Sequence, residues 1–250
     1  VSINSANLVQ NGNFSELGSE LVTNGDFATD SDWTKGAGWT ISGGKASHIG
    51  ADSYLRQNFT TTSGKTYKVA FTVSDYTSGD IRPRFMGGTA ADGVFVNSNG
   101  TYTQYIKSNG NTSFRFQAIS FTGSIDNVSV KQVDPNDNWT LGTGVTYGSE
   151  KAVFTNVNTS VQGLSQLNFL EIGKKYKIKF TILDYAQGSV YVLRPTSLGS
   201  GSAVSGNGTY TFELVAQSST SFILFTFGTT TLSITDISVI EIQENGVPRL

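Results

Sequence analysis

The chain has 250 residues, of which only 14% are charged, with 28 glycines and no cysteine. Seventeen basic against nineteen acidic side chains leave a formal charge of -2, too little to draw the protein to nucleic acid or an anionic membrane. The missing cysteines exclude a disulfide framework, thiolate metal sites and a thiol nucleophile, and no apolar run approaches the roughly 18 residues of a membrane-spanning helix.

Two near-copies of one heptapeptide come first, LVQNGNF at 8–14 and LVTNGDF at 21–27. The remainder of the chain is a duplication. The stretch 32–49, DWTKGAGWTISGGKASHI, aligns without a gap on 138–155, NWTLGTGVTYGSEKAVFT, with seven of eighteen positions identical. The stretch 64–81, GKTYKVAFTVSDYTSGDI, aligns on 173–190, GKKYKIKFTILDYAQGSV, with nine of eighteen identical. NGTYT at 99 and 207, TSF at 112 and 220, and SIDNVSV at 124 against SITDISV at 233 complete a collinear series. Alternation predicts strands: Tyr67, Val69, Phe71 and Val73 share one face, Tyr176, Ile178, Phe180 and Ile182 repeat it, and Tyr210, Phe212 and Leu214 make another inward set. The NG pairs at Asn99 and Asn207 predict tight turns. No stretch carries a 3.6-residue period.

The fold class is therefore all-β, two tandem jelly-roll β-sandwich domains of seven or eight short strands each. The expected boundaries are an N-terminal extension over 1–20 with a spare first-strand motif, a first module over 21–133, a second over 134–242, and a tail over 243–250 leading to a further region. Asp134, Pro135 and Asn136 read as the linker. The opening on Val1 and the ending VPRL read as a processed product or a segment of something longer. Two opening motifs precede the first module and none precedes the second, so residues 8–14 are either a spare or pair with the second module across the linker.

With NGDF at 24–27, GKTYKVAFTV at 64–73 and IDNVSV at 125–130, the first copy resembles the family 4/9 carbohydrate-binding modules, which are galactose-binding-like jelly rolls. The second copy shares the resemblance by repetition. The wording ELVTNGDFATDSDW at 20–33 and NGVPRL at the end also looks like tandem modules in virion and tail proteins of phages infecting Bacteroidetes. The family resemblance implies glycan binding without catalysis and a structural calcium between the first strand and an Asp near the last. No cofactor is otherwise required. Asp26 and Asp126 are the residues that would hold the calcium, the alternative being that they are polar residues at strand ends. The Glu usual after the Phe of the opening motif is Ala28, and Asp126 becomes Thr235 in the second copy, next to Asp236.

Catalytic residues are expected to be none. His48 is the only histidine and aligns with Phe154, so its own repeat does not keep it. Asp75 and Asp184 recur before a Tyr at a strand end, where a carboxylate accepting turn amides is expected. Sugar recognition needs an aromatic face and forked or planar polar groups, and the first copy has them. Inward Leu55 and Phe59 send Tyr54 and Arg56 outward, and the same reading sends Arg82, Arg84, Arg115 and Gln117 outward. If these strands are neighbours, they form a surface resembling the family's concave cleft.

Scaffold residues should recur between copies, whereas ligand residues are free to differ. Trp33 recurs as Trp139 and reads as packing. Trp39, Arg56, Arg82, Arg84 and Arg115 align instead with Val145, Ser165, Tyr191, Leu193 and Ile223. Trp39 is therefore placed with Tyr54, Gln117 and the arginines as a carbohydrate-binding residue, and Tyr191, Leu193 and Ile223 as a protein interface. A one-residue slip of register would instead turn that apolar set inward and leave the arginines as solvated charges. The expected partners are a glycan or polysaccharide and other virion or fibre subunits, including a homo-oligomer, with no nucleic acid and no membrane insertion. The expected location is extracellular or on a virion surface. The alternative function is a purely structural spacer that makes only protein contacts.

Overall fold

A computed structural model of the chain describes residues 2–3, 6–158, 162–192, 203–216 and 220–243. Among these there is no helix, and the strands belong to two all-β jelly-roll units. One unit is continuous, Leu17–Val133, and the other is assembled from Val1–Glu16 and Asp134–Leu250. The boundaries thus differ from the expected 1–20, 21–133 and 134–242. Leu17–Glu20 is an edge strand of the first module, with Lys131 opposite Glu20 and Val133 opposite Leu17, and residues 6–16 belong to the second.

In the 17–133 unit, two strands of 21 residues, Thr66–Met86 and Ser113–Val133, run antiparallel and carry the architecture. The expected short strands are fused because the corners stay paired. Register shifts between Ile119 and Thr122, and between Asp126 and Ser129, turn the ladder without ending it. Ser120 (φ 48) and Asn127 (φ 52) sit in the left-handed region there. Gly79 (φ 76) lies against Ser120 so closely that a Cβ would stand 2.2 Å from the Ser120 carbonyl oxygen.

The first half of Thr66–Met86 pairs with Gly100–Lys107, and the second half faces the portion of Ser113–Val133 that pairs with Ser53–Gln57. Both halves send their inward residues into one core. Tyr67 from the first half meets Phe85 from the second, ring centroids 5.5 Å apart, Phe71 meets Phe116 of the partner strand at 5.0 Å, and Tyr67, Val69, Ile81, Phe85 and Phe114 are all buried. Each such ring contributes roughly 2–3 kcal/mol by leaving water. The second unit repeats the plan with Lys175–Val192 against Phe222–Gln243, flanked by Gly208–Val215 and Gln162–Gln166. Tyr176, Ile178, Phe180 and Ile182 are buried in its core.

The opening heptapeptides form straps pinned to the last strand of each unit, because left-handed residues break the β-alternation: Asn24 (φ 52) and Phe27 (φ 50) in one, Asn11 (φ 47) and Phe14 (φ 55) in the other. Leu21 N–H donates to Val130 O, and Val128 N–H to Gly25 O. In the second unit Leu8 N–H donates to Val239 O, and Ile237 N–H to Gly12 O. Each strap passes so close under a carbonyl that only glycine fits. A Cβ on Gly25 would meet Val128 O at 2.0 Å and one on Gly12 would meet Ile237 O at 2.1 Å.

The recurring tryptophans hold the straps. Trp33 donates to Asn24 O and packs on Phe27, and Trp139 donates to Asn11 O and packs on Phe14. Gln57 and Gln166 each clasp a strap residue by both its N–H and its C=O, Thr23 and Gln10 respectively. Asp134, expected in a linker, is 2% exposed. Its carboxylate accepts from Trp139 N–H, Tyr147 O–H, Asn11 Nδ2 and Asn138 Nδ2, all within 2.9–3.0 Å.

The recurring Asp75 and Asp184 also differ from expectation. Each takes a left-handed backbone and pairs with a lysine from the neighbouring hairpin, Lys45 at 3.0 Å and Lys151 at 2.6 Å. Those lysine contacts hold both carboxyls below the ordinary carboxylate value. The turn amides, Tyr76 N–H and Tyr185 N–H, are accepted by Asn99 and Asn207.

Candidate functional site: a cationic sheet face

Three adjacent strands of the 17–133 unit set the outward residues in two rows. In one row Arg115 stands between Arg56 and Arg84; in the other Gln117 stands between Tyr54 and Arg82. Their neighbours in sequence, Leu55, Ile81, Pro83, Phe85, Phe114, Phe116 and Ala118, are buried, so alternation directs all six to the opposite side. The register brings together every residue assigned to the face from sequence except Trp39.

Trp39 is a correction. It is 5% exposed, lies in the core, and pairs across the Trp39–Ser42 and Lys45–Ile49 hairpin with His48, ring centroids 4.7 Å apart. Val145 pairs with Phe154 at the matching position of the second unit. The large Trp beside a smaller His in one copy is replaced by a small Val beside a large Phe in the other, which explains both differences as one compensated packing change. His48 is 1% exposed, its Nδ1 2.7 Å from Phe121 O and its Nε2 3.2 Å from Ala37 O.

The face has two parts. Arg82 and Arg84 are held in place: Gln117 Oε1 accepts from Arg82 Nε at 3.0 Å and from Arg84 Nη1 at 2.8 Å. Asp92 lies 3.1 Å from Arg82 Nη1 and 2.7 Å from Arg84 Nε, the second an ion pair without aligned hydrogen-bond geometry. The Arg82 guanidinium also sits 4.4 Å from the centre of the Phe95 ring.

Asp92 and Phe95 escaped the sequence reading, because Asp92 enters through a two-residue strand, Ala91–Asp92, opposite Arg84. The signal was the glycine after it. A Cβ on Gly93 would stand 2.3 Å from Gln104 Oε1, and Gln104 clasps Val94 by both backbone groups. That fixes the loop carrying Phe95 beside the arginines.

On the other part, the guanidinium carbons of Arg56 and Arg115 lie 5.9 and 5.6 Å from the centre of the Tyr54 ring. Neither has an acidic partner among the described residues, and the Nε of each is buried without a hydrogen-bond partner. Burial, followed by the adjacent Arg84 charge, pushes the Arg115 guanidinium below its ordinary value. Tyr54 is 36% and Phe95 38% exposed, so aromatic surface remains open on both sides.

The equivalent face of the second unit is apolar. Tyr191 stacks on Phe225 across the strands at 5.8 Å, and Ile223 stands opposite Ser165. Their neighbours Val190, Val192, Phe222 and Leu224 are buried, which turns Tyr191 and Ile223 outward. Leu193 lies outside the described residues. A cleft of about 440 Å3 in the same unit, beside Gln10, Asn138 and Gln166, belongs to the strap's seat. Gln10 and Gln166 bond each other there, and the Asn138 amide donates to Glu16 and Asp134.

Asp26 and Asp126, the expected calcium ligands, are bonded to local amides. Asp26 accepts from the Ala28 N–H at 3.3 Å, and Asp126 from the backbone and side-chain amides of Asn127 at 2.6 and 3.2 Å. Among the described residues no three histidine, cysteine, aspartate or glutamate side chains gather as metal ligands.

Fold and face define an all-β protein of two tandem jelly rolls, one of which presents an open cationic sheet face flanked by aromatics. No protein-family model and no curated protein matches the chain. Among solved structures it is similar to a CBM22 tandem domain from Paenibacillus barcinonensis, with 10% identity and a TM-score of 0.33 over 91% of this chain and 99% of that one. It is also similar to allantoicase from Saccharomyces cerevisiae, with 10% identity and a TM-score of 0.34 over 95% of this chain and 93% of that one.

Proposed function

We propose that the protein is a non-catalytic carbohydrate-binding protein, or segment of one, that attaches an extracellular or virion-surface assembly to glycan through the 17–133 unit. The observation that carries this reading is the six-residue face. Arg82, Arg84 and Gln117 are locked to one another by hydrogen bonds of 2.8–3.0 Å, so their remaining donors are preorganised for sugar hydroxyls. Tyr54 and Phe95 supply exposed aromatic surface for the C–H face of a sugar ring. The absence of catalysis is part of the same reading: His48 is sealed in the core, and Asp75 and Asp184 are paired with lysines.

Affinity electrophoresis of the full chain through gels containing a panel of soluble polysaccharides tests it. At least one polymer retards the protein, and Arg82→Gln with Arg84→Gln weakens that retardation about tenfold, about 1.4 kcal/mol. The thermal midpoint stays within a few degrees. Unchanged retardation in the double variant would remove the site.

The cofactor reading is that none is required. EDTA is expected to leave both retardation and thermal midpoint unchanged, because Asp26 and Asp126 are already bonded to local amides. A fall of several degrees restored by calcium would reverse this.

The stacked Tyr191 and Phe225 favour a second reading for the other unit, a structural contact with another subunit. If that contact is the whole function, the chain associates in sedimentation and no polysaccharide retards it.

A further inference from the structure

The glycan reading leaves open what kind of sugar polymer the face takes, and the unequal treatment of its four arginines answers that. Like charges directly opposite each other on neighbouring strands destabilise a sheet, and Arg56, Arg115 and Arg84 occupy one cross-strand row. Only Arg84 makes an ion pair there, with Asp92, which it shares with Arg82; Arg115 feels the Asp92 charge at longer range, outweighed by burial and the Arg84 charge. A face meant for neutral hydroxyls has no need of the uncompensated pair, since amides would serve with less repulsion. The pair also sits where rearrangement is restricted. Arg56 and Arg115 have their Nε atoms buried and unbonded, which leaves the outer ends of the guanidinium groups as the route by which these charges can be met. Tyr54, in the next row with its ring centre 5.9 and 5.6 Å from the two guanidinium carbons and 36% exposed, offers ring surface beside that point.

We propose that the Arg56, Arg115 and Tyr54 part of the face selects an anionic polysaccharide, binding a carboxylate or sulfate of the chain between the two guanidinium groups while the sugar ring lies against Tyr54. This rests on the carbohydrate reading and assigns its substrate class. A carboxylate meets a guanidinium fork through two parallel N–H···O bonds, and a sulfate presents the same oxygen pair. The locked Arg82, Arg84 and Gln117 serve the neutral part of the same chain.

The test runs the full protein through gels of polygalacturonate, a sulfated galactan, and a neutral galactan without either group. The wild type is retarded by one or both acidic polymers at least tenfold more strongly than by the neutral one, and raising sodium chloride from about 0.05 to about 0.5 M removes most of the difference as screening sets in. Whichever acidic polymer is preferred identifies the anion.

Arg56→Gln with Arg115→Gln abolishes the preference, and its thermal midpoint does not fall, because the exchange relieves a like-charge contact. Arg56→Lys with Arg115→Lys keeps the charge, loses the fork, and retains only part of the preference. Equal retardation by acidic and neutral polymers, or an acid preference untouched in the Gln variant, overturns the assignment while the carbohydrate reading stands. No retardation by any of the three polymers or by the wider panel overturns both.

Discussion

Phe14→Ala should unfold the second module while sparing the first, although Phe14 precedes the whole of the first module in sequence. The ring is 2% exposed and packs on Trp139 at 5.1 Å and Tyr147 at 6.4 Å. Truncating a buried Phe costs roughly 3–5 kcal/mol, a large part of the roughly 5–15 kcal/mol that holds a domain together. The strap that Phe14 anchors also supplies the Gly12 carbonyl to Ile237 and the Asn11 carbonyl to Trp139, so loosening the ring releases those bonds as well. Hydrogen exchange resolves the effect by strand. Protection should fall over Tyr176–Ile182 and persist over Tyr67–Val73, and Phe27→Ala should reverse the pattern, since Phe27 packs on Trp33. Loss of protection over Tyr67–Val73 in the Phe14 variant would contradict the assignment of residues 6–16 to the second unit.

Asp134→Ala is the second large effect expected, of roughly 3–5 kcal/mol on the same unit. The carboxylate accepts from four donors, a backbone N–H, a phenol and two amides, of which only the Asn138 amide has a second acceptor, Glu16. Removing it leaves buried donors unsatisfied, at roughly 1–3 kcal/mol for each one that water cannot reach. Burial, with the Asp134 charge beside it, pushes the Tyr147 phenol above its ordinary value. The shift favours the protonated phenol, the form that donates to Asp134.

Asp134→Asn separates hydrogen bonding from volume. It fills the same space but turns an N–H toward two of the four donors, so most of the loss should remain. Urea titration followed by Trp139 fluorescence measures both variants. An asparagine variant as stable as the wild type would show that Asp134 fills space and nothing more.

Both predictions fall at places where sequence reasoning went only part of the way. Asp134 opens a stretch of DPND that reads as a linker, and nothing in the letters shows four donors converging from positions 11, 138, 139 and 147. The heptapeptide at 8–14 is legible as an opening motif that is either a spare or pairs with the second module, and the letters do not choose between the two. Each module's last strand offers a seat for such a strap, and the two straps carry the same glycine and phenylalanine. Trp39 was misplaced for a related reason. Four alternating residues tell which side of a strand is wet, yet a difference between copies follows a change of packing partner as readily as a change of ligand. The partner of that difference, His48 against Phe154, lay nine positions on, across a hairpin.

The duplication, the all-β class, the inward residues of the main strands and the outward direction of Tyr54, Arg56, Arg82, Arg84, Arg115 and Gln117 were all legible in the sequence. The physical reason is that a strand's two-residue period is local, and two diverged copies confirm each other's register. It took the tertiary structure to show that residues 6–16 complete the second unit, that Asp134 is a buried hub, and that Asp92 forms ion pairs with Arg82 and Arg84 but not with Arg56 and Arg115. Those facts depend on which distant segments become neighbours, and pairing between strands is carried mostly by backbone groups that every residue but proline shares.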